Sequence, residues 1–276
     1  MNICRRDFLK SSLAVSAAAA FSARGEAAVS SNPLPRECYE LREYKLKSAA
    51  AKLALDAYLE QAVLPALAQR GIGNVGVFTE IEVDKSAGTS TPKADSPVWV
   101  LIPHPSLDSF VSVSAELNTD AAVQKAGASY LNVPKADPAI ERINSWLYLA
   151  FKSMPKMEVA AFSKNKTPTR VFEMRDYESH SELAALNKMA MFDNGETDLM
   201  RDLGMSPLFF GQGIAGSNLP HLRYITSGSD LAAEQAGWKK FGPDPRWKKL
   251  SSDPQYADNT SKISGVFLVP TAYSQI

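Results

Sequence analysis

One short segment of this chain is written twice. Tyr39-Glu40-Leu41-Arg42-Glu43-Tyr44 returns as Phe172-Glu173-Met174-Arg175-Asp176-Tyr177, at an offset of 133. At the same offset Gly71 meets Gly204, each after a helical pattern of similar length. Further along the offset falls to 124, where Leu107 matches Leu231, Asp120 matches Asp244 and Lys125 matches Lys249. Near the end, Ser145-Trp146-Leu147-Tyr148-Leu149 resembles Ser264-Gly265-Val266-Phe267-Leu268. Order and spacing persist while identity is low. That is the mark of a duplicated unit of about 110–115 residues.

Each unit reads alike. A first strand is expected near 38–46 and 170–177, followed by a long helix over 49–70 and 181–203. Leu53, Ala57, Val63 and Leu67 recur at helical spacing. Pro65 should kink or split the first of these helices. Gly71 and Gly204 stand where a helix end wants a left-handed residue. Strands follow at 74–83 and 98–102, and at 207–214 and 221–226. Helical regions at 105–131 and 229–257 lead to last strands at 145–151 and 264–270. The order β-α-β-β-α-β is the ferredoxin-like unit. The expected fold is therefore α+β, with two tandem ferredoxin-like modules at 36–153 and 170–276 and a linker at 154–169. Asp84–Pro97, rich in Ser, Thr, Pro, Gly and Lys, reads as a long exposed hairpin loop. Met157–Phe162 is a candidate extra strand.

Alternate side chains of a strand point to opposite faces. Tyr39 and Leu41, like Phe172 and Met174, form an apolar face suited to packing on the unit's own helices. The other face carries Glu40, Arg42 and Tyr44 in one copy and Glu173, Arg175 and Tyr177 in the other. Two sheets packed together would turn these six side chains toward a shared interior. One reading makes them a pocket lining: Arg offers a cationic fork to a ligand oxygen, Glu a base, Tyr a hydrogen-bond donor. The other makes them internal Glu–Arg pairs that satisfy a polar barrel interior.

The N-terminus sets the destination. Cys4-Arg5-Arg6-Asp7-Phe8-Leu9-Lys10 has the form of a twin-arginine export signal, and an Ala-rich apolar run extends from Ser11 to Phe21. Eleven residues at about 1.5 Å each cover roughly half a bilayer core, so this is a signal h-region and not a span. The signal occupies residues 1–28, with cleavage open between positions after Ala23, Ala27 and Ala28. The twin-arginine route carries folded cargo, often loaded with cofactor, which permits a cofactor without implying one. An extracytoplasmic or periplasmic location is expected.

Composition narrows the rest. Thirty basic and thirty acidic residues balance over 276 positions. The signal holds four basic and two acidic residues, a net of +2, so the remainder is near −2. That balance gives no basic face for nucleic acid. Beyond the signal no stretch is apolar enough to span a membrane. Of Cys4 and Cys38 only Cys38 survives signal removal, which excludes an intrachain disulfide; it reads as a small buried apolar residue. His104, His180 and His221 share no metal-binding spacing, so no metal site is expected. Gly211-Gln212-Gly213-Ile214-Ala215-Gly216 imitates a dinucleotide loop but opens no helix. The basic and aromatic run from Trp238 to Lys249 reads as a solvated helical face anchored by Trp238 and Trp247.

The Tyr39–Tyr44 start, the following helix, Gly71 and the strand Val75-Gly76-Val77-Phe78 resemble the NIPSNAP family. The resemblance runs over about 38–276 as two tandem modules. It is closer in the first, since Phe209 replaces Gly76 in the second. It implies a dimeric α+β-barrel architecture, a small organic ligand in the barrel interior, no assigned cofactor, and room for a homodimer. Relatives of the barrel include haem-handling proteins, for which a lone histidine would be the ligand. The alternatives are a cofactor-independent monooxygenase or isomerase with Tyr or Glu as base, and a structural dimerisation module.

Overall fold

The computed structural model describes residues 35–276; the signal and its cleavage region lie outside the described residues. The strand β1 spans Cys38–Leu46. Helix α1 (Ala49–Tyr58) starts on Ser48, whose side chain accepts from the Ala51 N–H. It passes through a wide π turn at Leu59–Val63 into α2 (Leu64–Gln69). Pro65 stands in the first turn of α2, where the wide turn absorbs the missing donor and splits the helix. Then come β2 (Gly76–Asp84), β3 (Thr89–Pro92) and β4 (Val98–His104). Helices α3 (Leu107–Thr119), α4 (Ala121–Ala126) and α5 (Ala128–Leu131) lead to β5 (Ile140–Ala150).

The short helix α6 (Ala161–Lys164) lies between the halves. The same order then runs again. Strand β6 (Val171–Glu178) is followed by α7 (Glu182–Met191), a π turn at Phe192–Glu196 and α8 (Thr197–Asp202). After β7 (Phe209–Ala215) and β8 (His221–Gly228) come α9 (Leu231–Phe241), α10 (Pro245–Ser251) and β9 (Lys262–Pro270). Gly71 and Gly204 both hold positive φ, 75° and 78°. The next residues, Ile72 and Met205, each donate back to a carbonyl five residues earlier, closing the helix end.

All ladders are antiparallel. In ring order the strands run β2-β4-β1-β5-β7-β8-β6-β9, and β9 pairs back to β2. One chain thus closes an eight-stranded barrel by itself. The seams are β5–β7, with Tyr148 opposite Gly213, and β2–β9, with Glu80 opposite Leu268. Two expectations change. Asp84–Pro97 is exposed, but Thr89–Pro92 within it pairs with β2 and extends that hairpin beyond the ring. Met157–Phe162 contributes no strand, and its last residues begin α6.

The ring interior is largely aromatic, with a buried Asp176–Arg223 ion pair and Glu80 on the same strand faces. Tyr39, Leu41, Phe78, Trp99, Trp146, Tyr148, Phe172, Met174 and Phe209 pack there as one cluster. Separate clusters bind the helices to the outside of each half. Leu55, Leu59 and Leu67 meet Tyr44, Val77 and Val100. Met189, Phe192 and Leu199 meet Tyr177, Phe210 and Tyr224. The alternation read from sequence holds, but its assignment is inverted. The Tyr39/Leu41 and Phe172/Met174 faces fill the barrel, and the Glu-Arg-Tyr faces lie under the helices. The physical reason is the small bore of an eight-stranded ring, which large side chains fill without water. Buried charged groups need partners wherever they lie, and those of the Glu-Arg-Tyr faces find them in the outer layer.

Candidate functional site

The six polar residues form two clusters, one on each half. In the first, Glu40 receives a two-pronged fork from Arg42, Nε to Oε1 at 2.6 Å and Nη2 to Oε2 at 2.8 Å. Ser145 adds a hydrogen bond to Oε1 at 3.1 Å, and Arg42 Nη1 reaches the Tyr44 hydroxyl at 3.4 Å. Burial pushes the Glu40 carboxyl up, but His104 and Arg42 together pull it down to about 2. His104 Nε2 stands 3.8 Å from Glu40 Oε2, longer than a hydrogen bond, so the Arg42 fork is the firmer partner. Both Glu40 oxygens are spoken for. Apart from His104 Nε2, which has no hydrogen-bond partner, this cluster is a closed ion pair.

The second cluster is not closed. Glu173 Oε1 takes Arg175 Nη1 at 3.1 Å and, from the β2–β3 hairpin of the other half, Lys85 Nζ at 3.4 Å. Arg175 lies 4.6 Å from the Trp238 ring, and Trp238 Nε1 donates to Glu234 Oε1 at 2.8 Å. Three polar atoms here lack a partner: Glu173 Oε2, Glu234 Oε2 and Arg175 Nε. Burial first, and then the charge of Glu173, pushes Glu234 up to about 8. In its protonated form Glu234 can donate toward Glu173, the neighbouring carboxylate that favours that form. Tyr177 completes the face by sharing a 2.9 Å hydrogen bond with the Tyr224 hydroxyl. Behind it, Lys188 and Glu196 form a buried ion pair at 2.8 Å.

Strand β6 therefore brings Glu173, Arg175 and Tyr177 to one place, as its repeat suggested, but on the outer face. Sequence reasoning missed Lys85 and Glu234. The available signal was Glu234 four residues before Trp238, which puts both on one side of α9. Trp238 and Trp247 do anchor their helices against the core, while Lys239 and Lys240 are exposed. Cys38 is buried, and burial raises its thiol pKa. Among the described residues no group of three or more His, Cys, Asp or Glu is placed to hold a metal ion. Among them, too, no helix is long and apolar enough to cross a membrane.

Comparison with known proteins agrees with this architecture. The NIPSNAP family model matches residues 172–275, and the twin-arginine translocation pathway signal sequence matches residues 5–22. The family match falls on the second half, not on the first, where the motif is closer. A search of the curated proteins found no match. A monooxygenase-like protein from Lactobacillus acidophilus superposes with a TM-score of 0.56 at 7% identity, over 85% of this chain and 94% of that one. A second, from Fusobacterium nucleatum, gives 0.51 at 10% identity, over 86% and 93%. A NIPSNAP-like domain protein from Burkholderia xenovorans aligns over 38% of this chain and 89% of its own, at 15% identity and a TM-score of 0.35. At these identities the two longer matches speak for the fold. This chain, then, has the α+β-barrel fold, matches the NIPSNAP family model over residues 172–275 and matches a twin-arginine signal sequence ahead of it.

Proposed function

We propose that the mature protein is a periplasmic barrel that binds a small organic ligand on the outer face of β6, beneath α9. Glu173, Arg175, Glu234 and Trp238 would line the site. The observation that carries this reading is the set of buried polar atoms on Glu173, Glu234 and Arg175 that have no hydrogen-bond partner where the two carboxyl groups meet. Buried polar groups are normally satisfied, and a cluster of exceptions is where a ligand repays its cost. Arg175 Nε is a free donor and a ligand oxygen would compete with Glu173 for the Glu234 proton, which suits a ligand presenting a carbonyl, carboxylate or enolate-like oxygen. The filled ring interior serves as core instead of ligand chamber. The repeated strand order further supports descent of both halves from one unit, with modules at 36–153 and 170–276. Since one chain closes the ring, a second copy is not needed to complete it.

A second reading is favoured by the pKa of Glu234. A carboxyl that titrates at about 8 is suited to give and take a proton near neutral pH. A cofactor-independent isomerase or monooxygenase of this fold would use it so.

Native mass spectrometry of the protein recovered from its own host tests the proposal. Wild type should retain a small molecule that a folded Arg175→Met or Glu234→Ala variant loses. A bare polypeptide mass for wild type, or a ligand retained equally by both variants, would reduce the cluster to packing.

A further inference from the structure

Strand register equates the two outer clusters residue by residue. Glu40 lies opposite Ile102 on β4 and Glu173 opposite Thr226 on β8, so His104, two residues beyond Ile102, corresponds to Gly228. Ser145 lies opposite Arg42, and Gly265 opposite Arg175. Ser106 caps α3 as Asp230 caps α9, which matches Phe110 to Glu234. Three differences therefore separate the closed cluster from the open one. Ser145, whose hydroxyl bonds Glu40 Oε1, gives way to Gly265. His104, 3.8 Å from Glu40 Oε2, gives way to Gly228. Phe110, packed edge-on against His104, gives way to Glu234. A Cβ at Gly228 would stand 2.6 Å from the Glu234 backbone nitrogen, so this glycine lets α9 bring its carboxyl close.

Gly265 makes this cluster reachable from solvent. It is exposed, and a Cβ there would lie 3.5 Å from Arg175 Cγ and 3.9 Å from Glu173 Oε1. A molecule resting on β9 at Gly265 thus comes into contact with both residues without moving α9. Phe267, opposite Glu173 on the same face of β9, is only half-buried. Lys85 Nζ lies 5.0 Å from the Phe267 ring and 3.4 Å from Glu173 Oε1. Its side chain is 60% exposed and stands at the tip of the exposed β2–β3 hairpin, so it can leave Glu173 for a solute. The local charge is also uneven. Arg175 and Lys85 face Glu173 alone while Glu234 holds its proton, and the Lys188–Glu196 pair behind them cancels itself. One further negative charge would balance the site.

Resting on the ligand reading given above, we propose that the site takes a small organic carboxylate with a flat apolar body, admitted over Gly265 and selected for its charge by Lys85. The body lies on Gly265 against Phe267. The carboxylate accepts from Lys85 Nζ in place of Glu173, and Arg175 supplies the second positive charge. The first half cannot take such a ligand, because Ser145 covers Glu40 at the corresponding place.

The test is titration calorimetry of the full mature protein with benzoate and with benzamide, which has the same outline and no charge, at about pH 6, where Glu234 is protonated. Wild type should bind benzoate about tenfold more tightly than benzamide, the worth of one charge-assisted hydrogen bond. Lys85→Met should weaken benzoate alone and bring the two affinities together, while Lys85→Arg should keep the preference. Gly265→Ser, which supplies the residue of the first half, should weaken both about tenfold, the worth of one blocked contact. A Cβ at position 265 stands 3.3 Å from the Met174 carbonyl oxygen, so the serine needs only a small shift, and circular dichroism checks its folding. Equal binding of the two probes by wild type, no binding of either, an unchanged preference in Lys85→Met, or unchanged affinities in folded Gly265→Ser would overturn the proposal. Native mass spectrometry separates this failure from that of the broader reading. A small molecule retained by wild type and lost in Arg175→Met, with no benzoate binding, leaves a ligand site of another class. A bare polypeptide mass together with no probe binding removes both.

Discussion

Glu173 and Glu234, 61 positions apart in sequence, meet beneath α9, where burial and the charge of Glu173 favour a proton on Glu234. The arrangement is satisfied only while Glu234 is protonated. Its pKa is raised from an ordinary 4.5 to about 8, so the folded state holds this proton more tightly than the unfolded chain does. The stabilisation is full below pH 4.5 and is lost as pH rises toward 8. Chemical denaturation as a function of pH should show stability falling across that window, and Glu234→Gln should flatten the fall. A wild-type profile without this slope would contradict the raised pKa of Glu234.

Glu40 behaves in the opposite sense. Its pKa is lowered to about 2, so its contribution is full above pH 4.5 and disappears as pH falls toward 2. Glu40→Gln leaves Arg42 buried with half its fork unpaired and should cost about 3–5 kcal/mol at pH 7. Near pH 2 wild type and variant should converge. Urea midpoints at both pH values check this.

Lys85 is 60% exposed while Glu173 is buried, so their contact contributes little net stability. Lys85→Met should shift the unfolding midpoint only slightly. It should nonetheless raise the Glu234 pKa further, because the Lys85 charge is among the effects that lower it. Carboxyl-carbon NMR titration of Glu234 reads that directly.

Gly213→Ala places a methyl group within reach of His221 Nε2 and its carbonyl oxygen. Overpacking of this kind costs about 1–3 kcal/mol. Gly242→Ala, where a Cβ meets nothing within 4 Å, is the control and should be close to neutral. Thermal unfolding of the two variants side by side makes the comparison.

Much of the fold was legible. The strand at 38–46, the split at Pro65 and the helix-ending Gly71 and Gly204 follow from local chemistry, and all are observed. The period of two in Tyr39–Tyr44 separates two faces, but it carries no sign. Which face turns inward depends on the bore of the closed ring, and no local pattern encodes that. For the candidate site, Glu173, Arg175 and Tyr177 could be named because one strand holds them together. Glu234 and Lys85 could not, since helix and hairpin reach the same point only through the folded topology.

Ring closure by a single polypeptide has an outcome that two identical subunits could not reach. Every residue of a symmetric pair must occur at both joins, so a group useful at one is imposed on the other. Here Arg223 stands on the strand next to one join and Trp99 at the matching place beside the other. Covalent linkage lets the joins specialise separately, and it keeps them intact however dilute the protein becomes after export.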